Sequence, residues 1–506
     1  MIQKKNLKKP FYLVAVLLIL IPGFYFGFSY IYIQNQINLY LKFNDYLNYN
    51  DYIGGFKEPD YYLLEQSAVK IDERIQKYHT PNGTVLNVLY NDKNLTEVLY
   101  YSGLDDTTIW TGCYIAGEAF RWAVANRNND IENRTNAEMA ILRAINQFDT
   151  CLQITGIKGA LARYAVEGSE ENWKLGLWNE KDSKVETGDF KGWRYRTYIS
   201  RDQLNGLAFG YSIVYQLVEN STIRDYIRRH VNWIIDYFQN TRWSSIMESG
   251  TQSFRLAPME PMKYRTQSGS AHLLAWLNLG RLVDFEKYNH LYKQWAIDKN
   301  LIFMTDEDVH YNIIYAYYTI NVVTLAFYTL INTEPNSYYR QIYIDSYIRS
   351  IYNIVKFHRN AFQNLIYMNF TGLSRTNPES NMILKDILDS LQRYAESKVP
   401  HNKKAILNSY WPDYQFIVDP ISVELENKMS KQSNPLFNFY QFEAHSKYAL
   451  PVDRRGQDSF IWQQSPFNLD SYRTNLKFVY AGVDFILPYW MGRYFYLIPN
   501  AEGIYN

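Results

Sequence analysis

Cysteine is scarce in this sequence, with two residues, Cys113 and Cys151, in a chain of 506. The pair forms neither a zinc-ligand pattern nor a redox CxxC motif, which excludes the common cysteine-based sites. Both residues fall on consecutive predicted helices of opposite direction. An extracytoplasmic location would permit a disulfide between them, so the sequence leaves that bond open.

An excess of charge of either sign is also missing, because 52 Lys and Arg residues balance 51 Asp and Glu residues. A nucleic-acid-binding surface usually gives a chain a basic excess, so we expect no nucleic-acid partner. The sequence contains no GxSxG elbow, P-loop, GxGxxG turn before a helix, HExxH pair or EF-hand loop. Its 8 histidines are not spaced as metal ligands. We therefore expect neither a cofactor nor a metal.

The N-terminal residues carry the clearest local pattern. Residues 1–10 contain four lysines, and residues 11–33 run for 23 positions without a charge. About 20 apolar residues span a bilayer, and lysines before such a segment place the N-terminus in the cytoplasm. A cleavable signal peptide would have a shorter apolar core and a small-residue cleavage site. We therefore predict a cytoplasmic tail at 1–10, a retained transmembrane anchor at 11–33, a connector at 34–58 and an extracytoplasmic domain at 59–506.

A second apolar run, Asn312 to Ile331, has no charge over 20 residues. Its flanks are acidic or neutral, and it contains Thr319, Asn321 and Thr324. A helix that is buried on all sides within a large domain has this composition. We therefore interpret the run as a core helix and not as a second membrane span.

From residue 59 to residue 396 the pattern is helical, and two kinds of helix alternate. One kind is apolar on every face, with Gly and Ala that allow close approach, and the next carries a charged stripe. Short loops favour antiparallel neighbours, and no regular β–α alternation is present. The pattern predicts an all-α fold, an α/α toroid in which helical hairpins form a ring. The predicted helices are 59–77, 107–126, 133–154, 202–218, 223–239, 268–283, 285–298, 310–331, 337–357, 358–369 and 380–396.

Two segments depart from this pattern. Residues 156–202 are too long for a hairpin loop and rich in Trp, Gly and charge, and long loops in compact domains are often functional. After about residue 402 the chain has Pro-punctuated, β-prone pieces and the apolar, aromatic stretch 482–498. We expect this C-terminal part to be an irregular, β-containing tail that packs on the ring.

Several segments taken together resemble a known group of proteins. They are DDTTIWTGCYIAGEAFRWAV (105–124), ITGIKGALARY (154–164), SRDQLNGLAFGYSIVYQLV (200–218), HRNAFQNLIYMNFTG (358–372), LPVDRRGQDSFIWQQSPF (450–467) and GVDFILPYWMGRY (482–494). As a whole they are similar to a largely uncharacterised prokaryotic family of the six-hairpin, (α/α)6-barrel glycosidase type. The resemblance implies a six-hairpin toroid. Better-studied six-hairpin enzymes are glycan hydrolases or lyases with carboxylates at the wide end of the barrel, but their catalytic motifs do not match here residue by residue.

Carboxylates stand at the start of two apolar helices. Asp105 and Asp106 precede the helix 107–126, and Asp202 opens the helix 202–218. In a ring of antiparallel hairpins the N-termini of the inner helices share one rim, so these acids would face one funnel. Glycoside hydrolysis needs such a pair, one acid to protonate the leaving oxygen and one to act as nucleophile or base. We predict Asp106 and Asp202 as the catalytic pair; the alternative is that all three acids are helix caps, which suits Asp105 best.

The predicted substrate-binding residues are charged or aromatic side chains that belong to the same rim or to the C-terminal part. An arginine can hold a carboxylated sugar with two hydrogen bonds, and a histidine beside a charge-neutralising residue could be the base of a lyase. Aromatic residues make up 17% of the chain, and aromatic clefts suit the apolar faces of sugar rings. A cap, a salt bridge or a core position is the plainer interpretation of each candidate. The candidates are Asp105, Arg163, Arg201, His272, His310, Asp458 and Trp462.

These observations favour a single-pass membrane protein, with its N-terminus in the cytoplasm, that hydrolyses a cell-surface or environmental glycan. A polysaccharide lyase or epimerase on the same fold is one alternative, and a non-catalytic glycan-binding or envelope-scaffold protein is another. A cleft that holds Asp106 and Asp202 would favour the hydrolase. His272 or His310 beside an arginine in that cleft would favour the lyase.

Overall fold

In the computed structural model of the protein, the described part of the chain is mostly helical, with short strands between helices. The fold class is all-α, as the sequence predicts. The described residues are 47–197, 199–246, 252–256, 267–307, 309, 313, 316–396, 401–402, 418–430, 445–455, 465–469 and 475–506.

The helices predicted between residues 59 and 396 have counterparts whose ends mostly differ by a few residues. Three of them continue beyond their α-helical part as single π-helical turns, at Ile75–His79, Gln294–Asp298 and Ile348–Tyr352. The helices are α1 (Tyr61–Arg74), α2 (Thr107–Arg127), α3 (Ile131–Gln153), α4 (Glu170–Lys174), α5 (Arg201–Leu217), α6 (Ser221–Asn240), α7 (Gln267–Val283), α8 (Phe285–Lys293), α9 (Tyr318–Thr333), α10 (Ser337–Tyr347), α11 (Ala361–Thr371), α12 (Ser380–Glu396), α13 (Pro420–Ser430) and α14 (Val483–Tyr494).

Buried and half-buried helices alternate along the chain. The helices α2, α5, α7 and α9 are buried around most of their circumference, whereas α3, α6, α8 and α10 expose a polar face. Helix α6 shows the cause, because Ile223, Ile227, Val231 and Ile234 recur at helical spacing and are the buried positions. Helix α9 holds most of the second apolar run and is buried among other helices, as predicted for a core helix.

The buried helices α2 and α5 touch at their backbones. A Cβ atom on Gly112 would lie 2.0 Å from the carbonyl oxygen of Gly206, and one on Gly206 would lie 2.4 Å from the Cα atom of Ile109. Both distances are far below van der Waals contact, so only glycine fits at this crossing. The glycines thus draw the N-terminal halves of α2 and α5 together.

Each buried helix contacts the half-buried helix that follows it, in the pairs α2–α3, α5–α6, α7–α8, α9–α10 and α11–α12. The buried helices also contact one another. Helix α2 contacts α5 and α14, α5 contacts α7 and α9, and α14 contacts α11. Between α9 and α11, Gln363 donates a hydrogen bond from Nε2 to the Thr324 hydroxyl at 2.8 Å. Helix α1 packs on α12 and α14, so elements from distant parts of the chain meet there.

Helix α14 was not predicted as a helix. It follows Gly482, whose φ is 94°, and its residues Val483–Arg493 are buried. A segment that is apolar on every side has no helical period to detect. Pro488 lies inside the helix and, lacking an N–H, leaves the carbonyl of Asp484 without its usual intrahelical bond. Because of these two features, the sequence pattern predicted an irregular tail where the structure has a buried helix.

The strands form small antiparallel sheets. One has the order β2-β1-β9-β8, a second the order β3-β5-β4, and a third pairs β6 with β7. The second sheet lies in the predicted long segment 156–202, and the β-prone C-terminal part contributes β8 and β9. The strands are β1 (Asn87–Tyr90), β2 (Val98–Ser102), β3 (Tyr164–Glu167), β4 (Ser183–Lys184), β5 (Trp193–Arg196), β6 (Ser244–Ile246), β7 (Gln252–Arg255), β8 (His401–Asn402) and β9 (Asn475–Val479).

The predicted tail 1–10 and anchor 11–33, and the connector as far as residue 46, lie outside the described residues. From residue 47 the connector rests on α12. The hydroxyl of Tyr52 donates to Oδ2 of Asp386 at 2.9 Å, and the backbone N–H of Lys57 donates to Asp389 at 2.8 Å. Of the helices in the described ranges, none has the length and hydropathy needed to cross a membrane.

Helices α2 and α3 each carry one of the cysteines. Cys113 and Cys151 are both buried and both free, so the disulfide that the sequence left open is not formed. Burial raises the pKa of each thiol. The thiols therefore stay protonated and act as small apolar core side chains.

Candidate functional site

Asp106 occupies the N-cap position of α2 but does not cap it with its side chain. Other acids at this position in the described chain do cap their helices. Asp60, Asp130 and Asp284 each accept a hydrogen bond from the third backbone N–H of the following helix, at 3.0 to 3.2 Å. The carboxyl group of Asp106 is thus left available for another role.

Gln203 on α5 supplies the cap that Asp106 does not. The backbone N–H of Ile109, the third residue of α2, donates to Oε1 of Gln203 at 3.0 Å. The Nε2 atom of the same amide donates to Oδ1 of Asp106 at 3.3 Å. Gln203 is fully buried, so this link between the two helix ends is shielded from water.

Asp202 lies in the first turn of α5, directly beside Gln203. Ser200, at the N-cap position of α5, makes no side-chain cap either. The side chain of Asp202 is half-buried. Because Gln203 reaches across to Asp106, the two acids stand at the adjoining N-termini of α2 and α5, as the sequence predicts.

The two carboxyl groups have raised pKa values, with different causes. Burial raises the pKa of Asp202, and repulsion from Asp106 raises it further, whereas Arg163 opposes the change. The Asp106 residue as a whole is exposed. The surrounding atoms nevertheless desolvate its carboxyl group, and this raises the pKa of that group. Arg163 and the hydrogen bond from Gln203 lower the pKa. Asp105 also raises the pKa of Asp106, so burial and a neighbouring carboxylate favour the neutral form of each acid.

Arg163, which is bound to the backbone carbonyl of Asp105, forms the basic side of the site. The Thr108 hydroxyl donates to the Arg163 carbonyl at 2.9 Å, and Nη1 of Arg163 donates to the Asp105 carbonyl at 2.6 Å. The carboxylate of Asp105 accepts from Nη1 of Arg196 at 3.2 Å. Asp105 therefore holds two arginines beside Asp106 and does not occupy the cap position of α2, which was the plainest interpretation of the sequence.

Arg196 was missed from the sequence. It lies at the end of β5, pairs in register with Tyr164, and donates to both carboxylate oxygens of Asp182, at 2.8 and 3.1 Å. Asp182 belongs to the long segment 156–202, whose length was the one sequence signal for this region. An open depression of about 410 Å³ adjoins Asp105; it is lined by Asp105, Arg163, Asn179, Lys181, Asp182, Arg196 and Thr197.

His272 lies on the neighbouring buried helix α7, and 3% of its surface is exposed. Its Nδ1 atom accepts a hydrogen bond from Nδ2 of Asn205. Burial and the charge of nearby Arg201 lower the pKa of His272 to about 3. The imidazole is therefore neutral at ordinary pH and lies beneath the rim.

The N-termini of α2, α5 and α7 thus bring together most of the predicted site. Of the remaining candidates, His310, Asp458 and Trp462 lie outside the described residues. In the described ranges, no group of three or more His, Cys, Asp or Glu side chains is arranged to hold a metal. The residues united at this end are Asp105, Asp106, Arg163, Arg201, Asp202 and His272.

Comparisons with known proteins were made at three levels. A scan against protein-family models, a search of curated proteins and a search of solved structures each found no match to this chain. A function therefore has to be inferred from the chain's own residues and their geometry.

Proposed function

We propose that the protein is a glycoside hydrolase in which Asp202 is the general acid and Asp106 is the base or nucleophile. The observation that carries the proposal is that Asp106 occupies a cap position while Gln203, from the next buried helix, makes the cap. The interaction frees the carboxyl group of Asp106 beside Asp202. A pair of acids from two neighbouring elements is the arrangement that glycoside hydrolysis uses.

The proposed scaffold is an (α/α)6 toroid. Five buried helices each pack on the half-buried helix that follows, and α14 with α1 supplies a sixth pair. The contacts among α14, α2, α5, α7, α9 and α11 support a closed inner ring. The N-termini of α2, α5 and α7 meet at one end of that ring, where carboxylates and arginines gather.

The electrostatics support the division of roles between the two acids. Burial and repulsion from Asp106 raise the pKa of Asp202, which suits a group that gives a proton to the leaving oxygen. Burial also raises the pKa of Asp106, but Arg163 and the Gln203 amide oppose that rise, which suits an attack on the sugar or on a water molecule. The separation of the two carboxyl groups in the substrate complex would decide whether the enzyme retains or inverts configuration.

The test is sugar release by the full-length protein in detergent from a panel of neutral and acidic glycans. We expect Asp106→Asn and Asp202→Asn to lower the rate about 100- to 10,000-fold, because each removes an acid–base group. Asp130→Ala is the matched control, since Asp130 caps α3 and loss of its side-chain acceptor should reduce stability but leave the rate unchanged. Full activity in either site variant would contradict the proposal.

A lyase is the second candidate, because His272 lies close enough to Arg201 for the arginine charge to add to the effect of burial in lowering the pKa of the imidazole. Such a neighbour could neutralise the carboxylate of an acidic sugar. The burial of His272 and its pKa of about 3 make it a weak base, which is why the hydrolase is preferred. Unsaturated products that disappear in His272→Asn and persist in Asp202→Asn would favour the lyase. Glycan binding without any product would favour a binding or scaffold protein.

We propose a cell-membrane location, with residues 11–33 as a single-pass anchor, the N-terminus in the cytoplasm and the main domain outside. The uncharged 23-residue run after four lysines supports this placement. Protease added to intact cells should then digest the domain, and deletion of residues 1–33 should release the protein from the membrane fraction. Protection of the domain in intact cells would reverse the proposed orientation.

A further inference from the structure

A narrow cavity with about 30 Å³ of space for water-sized molecules lies at the N-terminal ends of α11 and α14. It belongs to different elements from Asp106 and Asp202, and the proposed function does not use it. Its polar lining comes from α12, α14, the approach to α11 and the turn after residue 452. The polar residues that line it are Arg359, Asn360, Ser390, Tyr394, Arg455 and Asp484.

Hydrogen-bond donors in this lining lack partners within the described residues. The hydroxyl of Tyr394 and the Nε atom of Arg359 are buried and make no hydrogen bond there. Their side chains are deeply enclosed, with Tyr394 5% and Arg359 1% exposed. A buried donor without a partner is costly, so an occupant of the cavity should offer acceptor atoms.

Arg455 adds a buried positive charge to the same wall and is 3% exposed. Its Nε atom donates to the Leu450 carbonyl at 2.9 Å, and its Nη2 atom donates to the carbonyls of His358 and Arg359 at 2.6 and 3.1 Å. No carboxylate of the described chain forms an ion pair with it. A buried guanidinium held by neutral carbonyls is a favourable place for an anion.

Arg359, which lines the cavity, has an unfavourable backbone conformation. Its φ is 51°, a left-handed conformation that is unfavourable for a non-glycine residue and is often found at functional sites. The Arg359 guanidinium is neutralised by Asp389 at 2.7 Å and stacks over the ring of Tyr52. Arg359 is therefore held in place and its charge is compensated. Arg455 is the other cation of the lining, and it forms no ion pair within the described chain.

We propose that this cavity binds a carboxylate group, held by Arg455 and the Tyr394 hydroxyl at the positive ends of α11 and α14. The anion site rests on this geometry alone. Only its assignment to the carboxylate of an acidic sugar rests on the proposed function. Asp484 is the one acid among the lining residues, and its charge would weaken anion binding. Removing Asp484 and removing Arg455 should therefore have opposite effects.

The test is isothermal titration calorimetry on the full-length protein in detergent, at constant ionic strength, with glucuronate, acetate and glucose as probes. We expect glucuronate to bind and glucose not to bind. Arg455→Gln should weaken binding about 10- to 100-fold, as expected for lost hydrogen bonds to a charged group. Asp484→Asn should tighten it. Tyr394→Phe, which removes one oxygen and keeps the packing, should weaken it severalfold and serves if Arg455→Gln does not fold.

The outcomes separate the site from the proposed function. Much tighter binding of glucuronate than of acetate would support an acidic sugar as the ligand, and equal binding would support a carboxylate site for free acids. Glucose binding as tightly as glucuronate, or unchanged affinity in both Arg455→Gln and Tyr394→Phe, would overturn the site. Asp202→Asn should bind glucuronate with the affinity of the parent protein, whether or not sugar release is detected in either of them.

Discussion

The buried amide of Gln203 donates to Oδ1 of Asp106 across the junction of α2 and α5, at 3.3 Å. The same side chain accepts the N–H of Ile109, so it positions the carboxyl group and caps the helix at once. We predict that Gln203→Ala costs about 1–3 kcal/mol of stability, because it leaves a buried N–H unpaired. It should also lower kcat more than it raises KM, since the carboxyl group of Asp106 loses the hydrogen bond that positions it.

The matched control for this prediction is Gln216→Ala. Gln216 lies near the other end of α5 and donates to the Ser212 carbonyl at 2.8 Å, far from the site in sequence and along the helix. Urea denaturation and steady-state kinetics of both variants would separate the two roles. Equal kinetics in Gln203→Ala and Gln216→Ala would show that Gln203 only stabilises the fold.

The pH dependence of stability should reveal the raised pKa of Asp202. Burial and Asp106 raise this pKa in the native state above its ordinary value of 3.8. The stabilising contribution of the neutral carboxyl group is therefore complete below the unfolded pKa and is lost as pH rises through the native pKa. Asp202→Asn avoids this loss, so its free energy of unfolding relative to the parent should increase between about pH 3 and about pH 7.

Urea denaturation across that pH range measures this difference. Asp130→Ala is again the control, because the cap at Asp130 stabilises α3 and its removal should be destabilising at neutral pH. A constant difference between Asp202→Asn and the parent across the whole range would contradict the raised pKa of Asp202.

The contact between α2 and α5 should tolerate no added methyl group. Gly112→Ala would place Cβ 2.0 Å from the carbonyl oxygen of Gly206, and two helix backbones would have to separate. We expect a loss of at least about 1–3 kcal/mol, together with a loss of activity, because the acid pair sits at the end of this contact. Gly117→Ala is the graded control: its Cβ would lie 3.1 Å from a methyl group of Ile486 and 3.3 Å from the Cα atom of Leu487, contacts that shifts of a few tenths of an ångström relieve. Similar losses in thermal stability for both variants would contradict the backbone contact.

A buried ion cluster on α1 and α2 should lose much more stability when its arginine is replaced than when Glu118 is replaced. Arg121 pairs with Asp72 and also with Glu118 at 3.2 Å. Arg121→Met would leave the Asp72 carboxylate buried without its cation, and we expect it to cost about 3–5 kcal/mol. Glu118→Gln should cost much less, because burial and Asp72 already raise the pKa of Glu118 well above its usual value. Chemical denaturation of the two variants is the measurement, and equal costs would contradict a neutral Glu118.

The helices, and the positions of Asp106 and Asp202 at helix starts, could be predicted because their signals are local. The composition of α2 and α5 shows that they are buried, and the positions of Asp106 and Asp202 at their starts follow from the same pattern. The interactions that position and surround these acids are not local. Gln203 lies 97 residues from Asp106, and Arg196 lies 91 residues from Asp105, so no spacing rule connects them. Helix α14 was hidden for a different reason, since its uniform apolarity and Pro488 remove the helical period.

Helix α14 also has a consequence for how the protein is made. It packs on α2, and Arg127 at the end of α2 donates to the backbone carbonyls of Arg493 and Tyr494. Residues 483–494 are synthesised long after residues 107–127, so one apolar side of α2 stays uncovered through most of translation. The domain cannot reach its native packing helix by helix as it emerges. Until its last neighbour arrives, the uncovered side of α2 exposes apolar surface that favours aggregation.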